Sequence, residues 1–90
     1  MSADIREVLC GKWALEILRL VSEEGTQNYS QIEAEFDTSS DVIVERLEEL
    51  AAVGLIDRNE RGPKDVRYAI TADGQEFLAL VDQIQRLLEE

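Results

Sequence analysis

Arg58, Arg61, Lys64 and Arg67 fall within residues 57–67 and make up four of the nine bases in a chain of 90 residues. Asp57, Glu60 and Asp65 stand among them, so this segment holds a small positive excess while the whole chain carries −11. Guanidinium and ammonium groups spaced this way suit contact with phosphate oxygens or with a minor groove. The competing reading is a solubilising hairpin tip that happens to carry Arg. In so acidic a sequence the clustering favours contact.

Other chemistries find little to work with. The sequence has no His and one Cys, Cys10. Ser–His and Cys–His nucleophile pairs, Cys-rich zinc sites and intrachain disulfides are thereby excluded. Cys10 has only Lys12 nearby to lower its pKa and reads as a small apolar residue. The pairs Glu23-Glu24, Glu48-Glu49 and Glu89-Glu90 are adjacent in sequence, so their members point apart and read as solvated surface. Asp57 to Gly62 begins like a calcium loop, but Arg61 and Tyr68 occupy its fifth and twelfth positions, where oxygen ligands are needed. The expectation is a protein that is not an enzyme and holds no metal or cofactor.

Twenty acids give a surface that repels polyanions and other copies of itself. Acids spread along the whole chain, with only two Lys, resemble the composition of proteins from salt-loving cells. At molar salt the Debye length is about 3 Å, which screens most of that repulsion. The alternative is an ordinary acidic protein that never meets nucleic acid.

The elements that must position the basic cluster follow from apolar spacing. An apolar share of 44% fits a globular chain, and residues 1–90 are expected to form one domain. No apolar stretch is long enough to span a bilayer, and residues 1–7 lack the basic head and apolar block of a signal peptide. The expectation is a soluble, cytoplasmic chain. Ile5, Val8 and Leu9 open a helical pattern that resumes after Gly11 as Trp13, Ile17, Leu18, Leu20 and Val21, ending near Gly25. Thr26 to Tyr29 reads as polar and extended. Ser30 and Glu33 fit a capping box for a short helix that buries Ile32 and Phe36 and stops at Asp37-Thr38.

Thr38 or Ser39 then caps a third helix, in which Ile43, Leu47 and Leu50 repeat on one face down to Val53, with Gly54 as its stop. This stripe outweighs the low helix preference of Val42, Ile43 and Val44. With the stripe turned inward, Ser40, Asp41, Val44, Glu45 and Glu48 face out. Leu55 to Arg58 and Val66 to Ile70 read as two strands of a hairpin with a long exposed loop, Asn59 to Asp65. Thr71 caps a last helix carrying Phe77, Leu80, Val81, Ile84, Leu87 and Leu88. Trp13 reads as a core anchor, and Tyr68 as packing inward. The class is mainly α with a small β-hairpin, an α+β chain.

Three helices followed by a hairpin is the order of winged helix-turn-helix domains, here with an additional C-terminal helix. Gly11-Lys12-Trp13-Ala14-Leu15-Glu16-Ile17-Leu18 resembles the opening of the HxlR family of bacterial and archaeal transcription regulators. Ser39, Leu47, Leu50, Gly54 and Leu55, then Tyr68-Ala69-Ile70-Thr71 with Gly74, extend the resemblance over roughly residues 8 to 88. It implies a homodimeric regulator that places its third helix in the major groove of double-stranded DNA and its wing on the neighbouring backbone or minor groove. The DNA-contacting set would be Ser39, Ser40, Val44, Arg46, Arg58, Arg61, Lys64 and Arg67. Ile5, Val8, Leu9, Phe77, Leu80, Val81, Ile84, Leu87 and Leu88 form more apolar surface than one small domain needs, and a twin subunit would bury them. Family members often carry basic or amide residues where this chain has Asp41 and Glu45. That difference keeps a second expectation open, a winged-helix module that binds a protein partner and not DNA.

Overall fold

The computed structural model describes residues 13–89. Among them are four helices and a three-stranded antiparallel sheet. Helix α1 spans Ala14–Glu24, strand β1 Gln27–Asn28, helix α2 Tyr29–Ala34 and helix α3 Ser40–Ala52. Strands β2 (Ile56–Gly62) and β3 (Asp65–Ile70) form the wing, and helix α4 (Ala72–Leu88) follows. This is the winged helix-turn-helix order with the extra C-terminal helix. Ile5, Val8, Leu9 and Cys10, with Gly11 and Lys12, lie outside the described residues.

One apolar cluster ties these elements together. Ile17, Leu18 and Val21 of α1 meet Ile32 of α2, Ile43, Leu47 and Leu50 of α3, Leu55 and Ile56 at the start of the wing, Tyr68 of β3 and Leu78 of α4. Trp13 and Phe36 pack against its edge with ring centroids 5.4 Å apart. The 43/47/50 stripe is fully buried, so burial overrides the weak helix preference of three consecutive β-branched residues. Ser39 caps α3, its Oγ accepting from the Val42 amide at 3.4 Å.

Three local expectations are corrected. The capping box of α2 belongs to Asn28 and Gln31, not to Ser30 and Glu33. Asn28 Oδ1 accepts from the Gln31 amide at 2.8 Å, and Gln31 Oε1 accepts from the Asn28 amide at 2.9 Å. Helix α2 accordingly starts two residues earlier and ends at Ala34, leaving Phe36 beyond it, half-buried. Second, the extended piece is a strand: Gln27 pairs with Tyr68 and Asn28 with Arg67, making β3 the centre of the sheet. Third, the long loop between Asn59 and Asp65 is strand except for a turn at Pro63 and Lys64, with a bulge between Glu60 and Gly62. Asn59, Glu60 and Arg61 are exposed because the ribbon projects past the core, so the alternation that marks a half-buried strand is missing there.

Two contacts set the angles between these parts. Thr71 Oγ1 accepts from the Gly74 amide at 2.9 Å and lies 2.7 Å from the Gly54 carbonyl, while the Thr71 amide donates to the Leu55 carbonyl at 3.1 Å. A Cβ on Gly74 would stand 2.2 Å from the Leu55 carbonyl oxygen and 2.6 Å from Ile70 Cγ1, so only glycine admits this approach of α4 to the wing. At the other joint, the Tyr29 hydroxyl of α2 has two acceptors, Glu33 Oε2 at 3.2 Å and the Ser40 carbonyl of α3 at 3.3 Å. Burial, then the hydrogen bond to Glu33 and that carboxylate's charge, push the Tyr29 hydroxyl above its ordinary value of 10.0.

Two outcomes follow from these joints. Gly74→Ala forces the α4–wing contact apart and is expected to destabilise the fold by about 1–3 kcal/mol in urea denaturation. In an alkaline absorbance titration, Tyr29 should ionise later than an unfolded tyrosine, and Tyr29→Phe should remove that late step. Because the folded value is raised, the stabilisation from the protonated hydroxyl is complete below about pH 10 and is lost as pH climbs through the folded value.

Candidate nucleic-acid interface

The outward surface of α3 is set by what its opposite side must bury. Ser39, Ser40, Asp41, Val44, Glu45 and Glu48 are exposed. Arg46 is different: its side chain is only 17% exposed and its guanidinium bonds Glu45 at 2.6 Å and Glu49 at 3.4 Å. The one base on α3 is therefore turned towards its own helix's carboxylates, and the exposed face is an acidic one with a valine in it.

The wing distributes its charges by strand alternation. Arg58 and Glu60 share a face with Val66, Tyr68 and Ile70, while Asp57 and Asn59 share the other with Asp65, Arg67 and Ala69. Arg58 is bonded to Glu60, and that carboxylate, then the Tyr68 hydroxyl, hold the guanidinium more firmly in its charged form than usual. Arg67 Nε donates to Asp65 Oδ1 at 3.1 Å. Each strand thus neutralises one cation with an acid two residues away, on opposite faces of the ribbon. Arg61, at the bulge, and Lys64, in the turn, are exposed and make no ion pair among the described residues. The structure brings these two together at the tip, and their positive charge remains uncompensated there.

The candidate dimer residues divide along α4. Phe77 packs on the edge of the core and Val81 is half-buried. Leu80, Ile84, Leu87 and Leu88 are 51%, 48%, 74% and 75% exposed. Towards α1 the helix is fixed by polar links, Arg19 to Asp82 at 2.8 Å and Ser22 Oγ to Gln75 Oε1 at 3.2 Å. These side chains line an open groove of about 290 Å³ with Leu78 and Ala79. No group of three or more His, Cys, Asp or Glu among the described residues is placed to hold a metal ion. None of the described helices is long and apolar enough to cross a membrane.

Sequence reading missed Tyr29 as the strut between α2 and α3. Its spacing of four from Glu33 on a short helix was the available signal.

Residues 8–90 match the HxlR-like helix-turn-helix family. An uncharacterized protein of Methanocaldococcus jannaschii is 30% identical over 86 residues, covering 91% of this chain and 71% of its own length. Among solved structures, a protein assigned to the MarR family of transcriptional regulators from Enterococcus faecalis V583 superposes with a TM-score of 0.82 at 23% identity, over 93% of this chain and 78% of that one. Diamide-treated YodB from B. subtilis gives 0.79 at 24% identity, over 91% and 83%. At these identities the likeness is one of fold, and that fold is the winged helix built above. The family is one of transcriptional regulators, not enzymes. With the family signature spanning nearly the whole chain, the protein belongs to the HxlR-like helix-turn-helix family and is a winged-helix transcriptional regulator.

Proposed function

We propose that this regulator binds double-stranded DNA as a homodimer, with α3 entering the major groove and the wing gripping the adjacent backbone. The observation that carries the reading is the wing tip, where Arg61 and Lys64 project without an ion pair among the described residues. Arg58 and Arg67 stand behind them in ion pairs open to solvent, with side chains 46% and 44% exposed. Pairs this exposed are weak and screened by salt, so phosphate oxygens can replace Glu60 and Asp65 as partners. Ser39 and Ser40 would meet the backbone at the start of α3, and Val44 the groove; Arg46 would contribute by offsetting its neighbours' charge.

Four large exposed apolar side chains on α4 support a twin-subunit interface there, with Ile5, Val8 and Leu9 as further candidates. A net charge of −11 means that the body opposes approach to a polyanion. High salt removes that opposition, which fits a protein adapted to a salt-rich cytoplasm. A second reading, a winged-helix module that docks a basic protein, is favoured by the carboxylates on α3 and by the engagement of Arg46 with Glu45 and Glu49.

Anisotropy titration of labelled genomic duplexes from low to molar potassium chloride tests the first reading. Binding is expected to strengthen as salt first rises and then to decline. Replacing both Arg61 and Lys64 by Glu should weaken it at least about tenfold, the scale of two lost phosphate contacts. A wild-type protein that binds no duplex at any salt would transfer the assignment to the protein-docking module. For the dimer, sedimentation equilibrium should give twice the chain mass, and Leu80→Glu with Ile84→Glu should give a folded monomer. A wild-type monomer at micromolar concentration would remove the two-fold arrangement.

A further inference from the structure

We infer that Val44 and Glu45 set the base preference of α3, Glu45 accepting from a cytosine amino group and Val44 covering a neighbouring thymine methyl. The inference rests on the DNA-binding reading above. It begins from Arg46. Guanine is most often read by an Arg or Lys fork on its O6 and N7, and Arg46 is the only base on α3. Its guanidinium lies against Glu45 and Glu49 and is largely covered, so α3 offers no cation to a base edge.

The same pairing singles out Glu45. Of the three outward carboxylates, Asp41, Glu45 and Glu48, it alone bonds a cation among the described residues. The guanidinium at 2.6 Å fixes one carboxylate oxygen and offsets the charge, which lowers the cost of bringing Glu45 between phosphate rows. A carboxylate only accepts, so its partners in the major groove are amino groups. Cytosine presents N4 alone, whereas adenine places the acceptor N7 beside its amino group and repels the second oxygen. Val44, adjacent to Glu45, is 42% exposed, and it is the one large apolar side chain exposed outside α4 among the described residues. A thymine methyl is the apolar feature that the major groove offers it.

The test is selection of bound sequences from a randomised duplex pool by the full chain, at the potassium chloride concentration that gives binding. Cytosine beside thymine should be enriched in each half-site. Glu45→Gln should move the preference from cytosine to adenine by about tenfold, because an amide pairs with N6 and N7 together. Replacing the selected thymine by uracil should cost the wild type about fourfold, the worth of one methyl group, and should leave Val44→Ala unaffected. Binding with no base preference, or an unchanged preference in Glu45→Gln, overturns this inference and leaves DNA binding standing. A pool from which nothing is recovered at any salt overturns DNA binding itself.

Discussion

Burial of Ile43, Leu47 and Leu50 against Ile17, Leu18 and Val21 is the constraint on which the rest depends. A helix that must hide one side has no freedom over what the other side presents. Once those three residues face the core, the spacing of 3.6 residues per turn sends Ser40, Asp41, Val44, Glu45 and Glu48 outward together. Arg46 falls between the two faces and is captured there by the carboxylates one residue before it and three residues after it. The chemistry that α3 offers to any partner is thus decided by packing on its far side.

The wing inherits its position from the same core through a short covalent path. Helix α3 ends at Ala52 with Val53 as its cap, Gly54 turns the chain with a φ of +83°, and Leu55 and Ile56 re-enter the core before the ribbon leaves it. The return strand arrives at Thr71, whose hydroxyl and amide hold the Gly54 and Leu55 carbonyls. Because Gly74 lets α4 sit directly on that junction, helix α3, the wing and the candidate dimer helix meet within one small knot of backbone. A change in the angle of α4 therefore has no slack to absorb it before it reaches α3.

Much of this was legible in the sequence, because apolar periodicity reports burial directly. The α3 stripe, the Thr71 cap and the outward acids needed only the helical repeat and hydroxyl chemistry. The losses came where local signals compete. Ser30 with Glu33 and Asn28 with Gln31 both fit a capping pattern, and β1 pairing with β3 fixed Asn28 at the boundary. The outer wing carries polar residues on both faces, so its strands lack alternation and look like loop. The ion pairs of Arg58, Arg67 and Arg46 were not legible, since they depend on rotamers that composition cannot specify. Kinship signals added the wing and the third helix as a working pair, which charge counting alone would have opposed.

That opposition is resolved by distance and screening more than by net charge. Arg61 and Lys64 stand at the end of a ribbon whose turn, Pro63 and Lys64, is separated from the core residue Ile56 by the six strand residues 57–62, which at about 3.3 Å per residue is roughly 20 Å. The Debye length at physiological salt is about 8 Å and at molar salt about 3 Å. A phosphate touching the tip is therefore beyond the reach of most carboxylates on the body, and still more so in a salt-rich cell. The carboxylates that it does feel are Glu60 and Asp65, and both are already committed to a guanidinium. In the proposed mode helix α3 has no such distance to exploit, because its face would enter the groove itself. The electrostatic difficulty of this protein is consequently local to Asp41, Glu45 and Glu48, where only Glu45 bonds a cation of its own among the described residues. An acidic body and the proposed DNA contact of the wing are compatible in one chain so long as Arg61 and Lys64 are held away from the body's acids and the acids nearest the groove are few, paired or matched to amino groups.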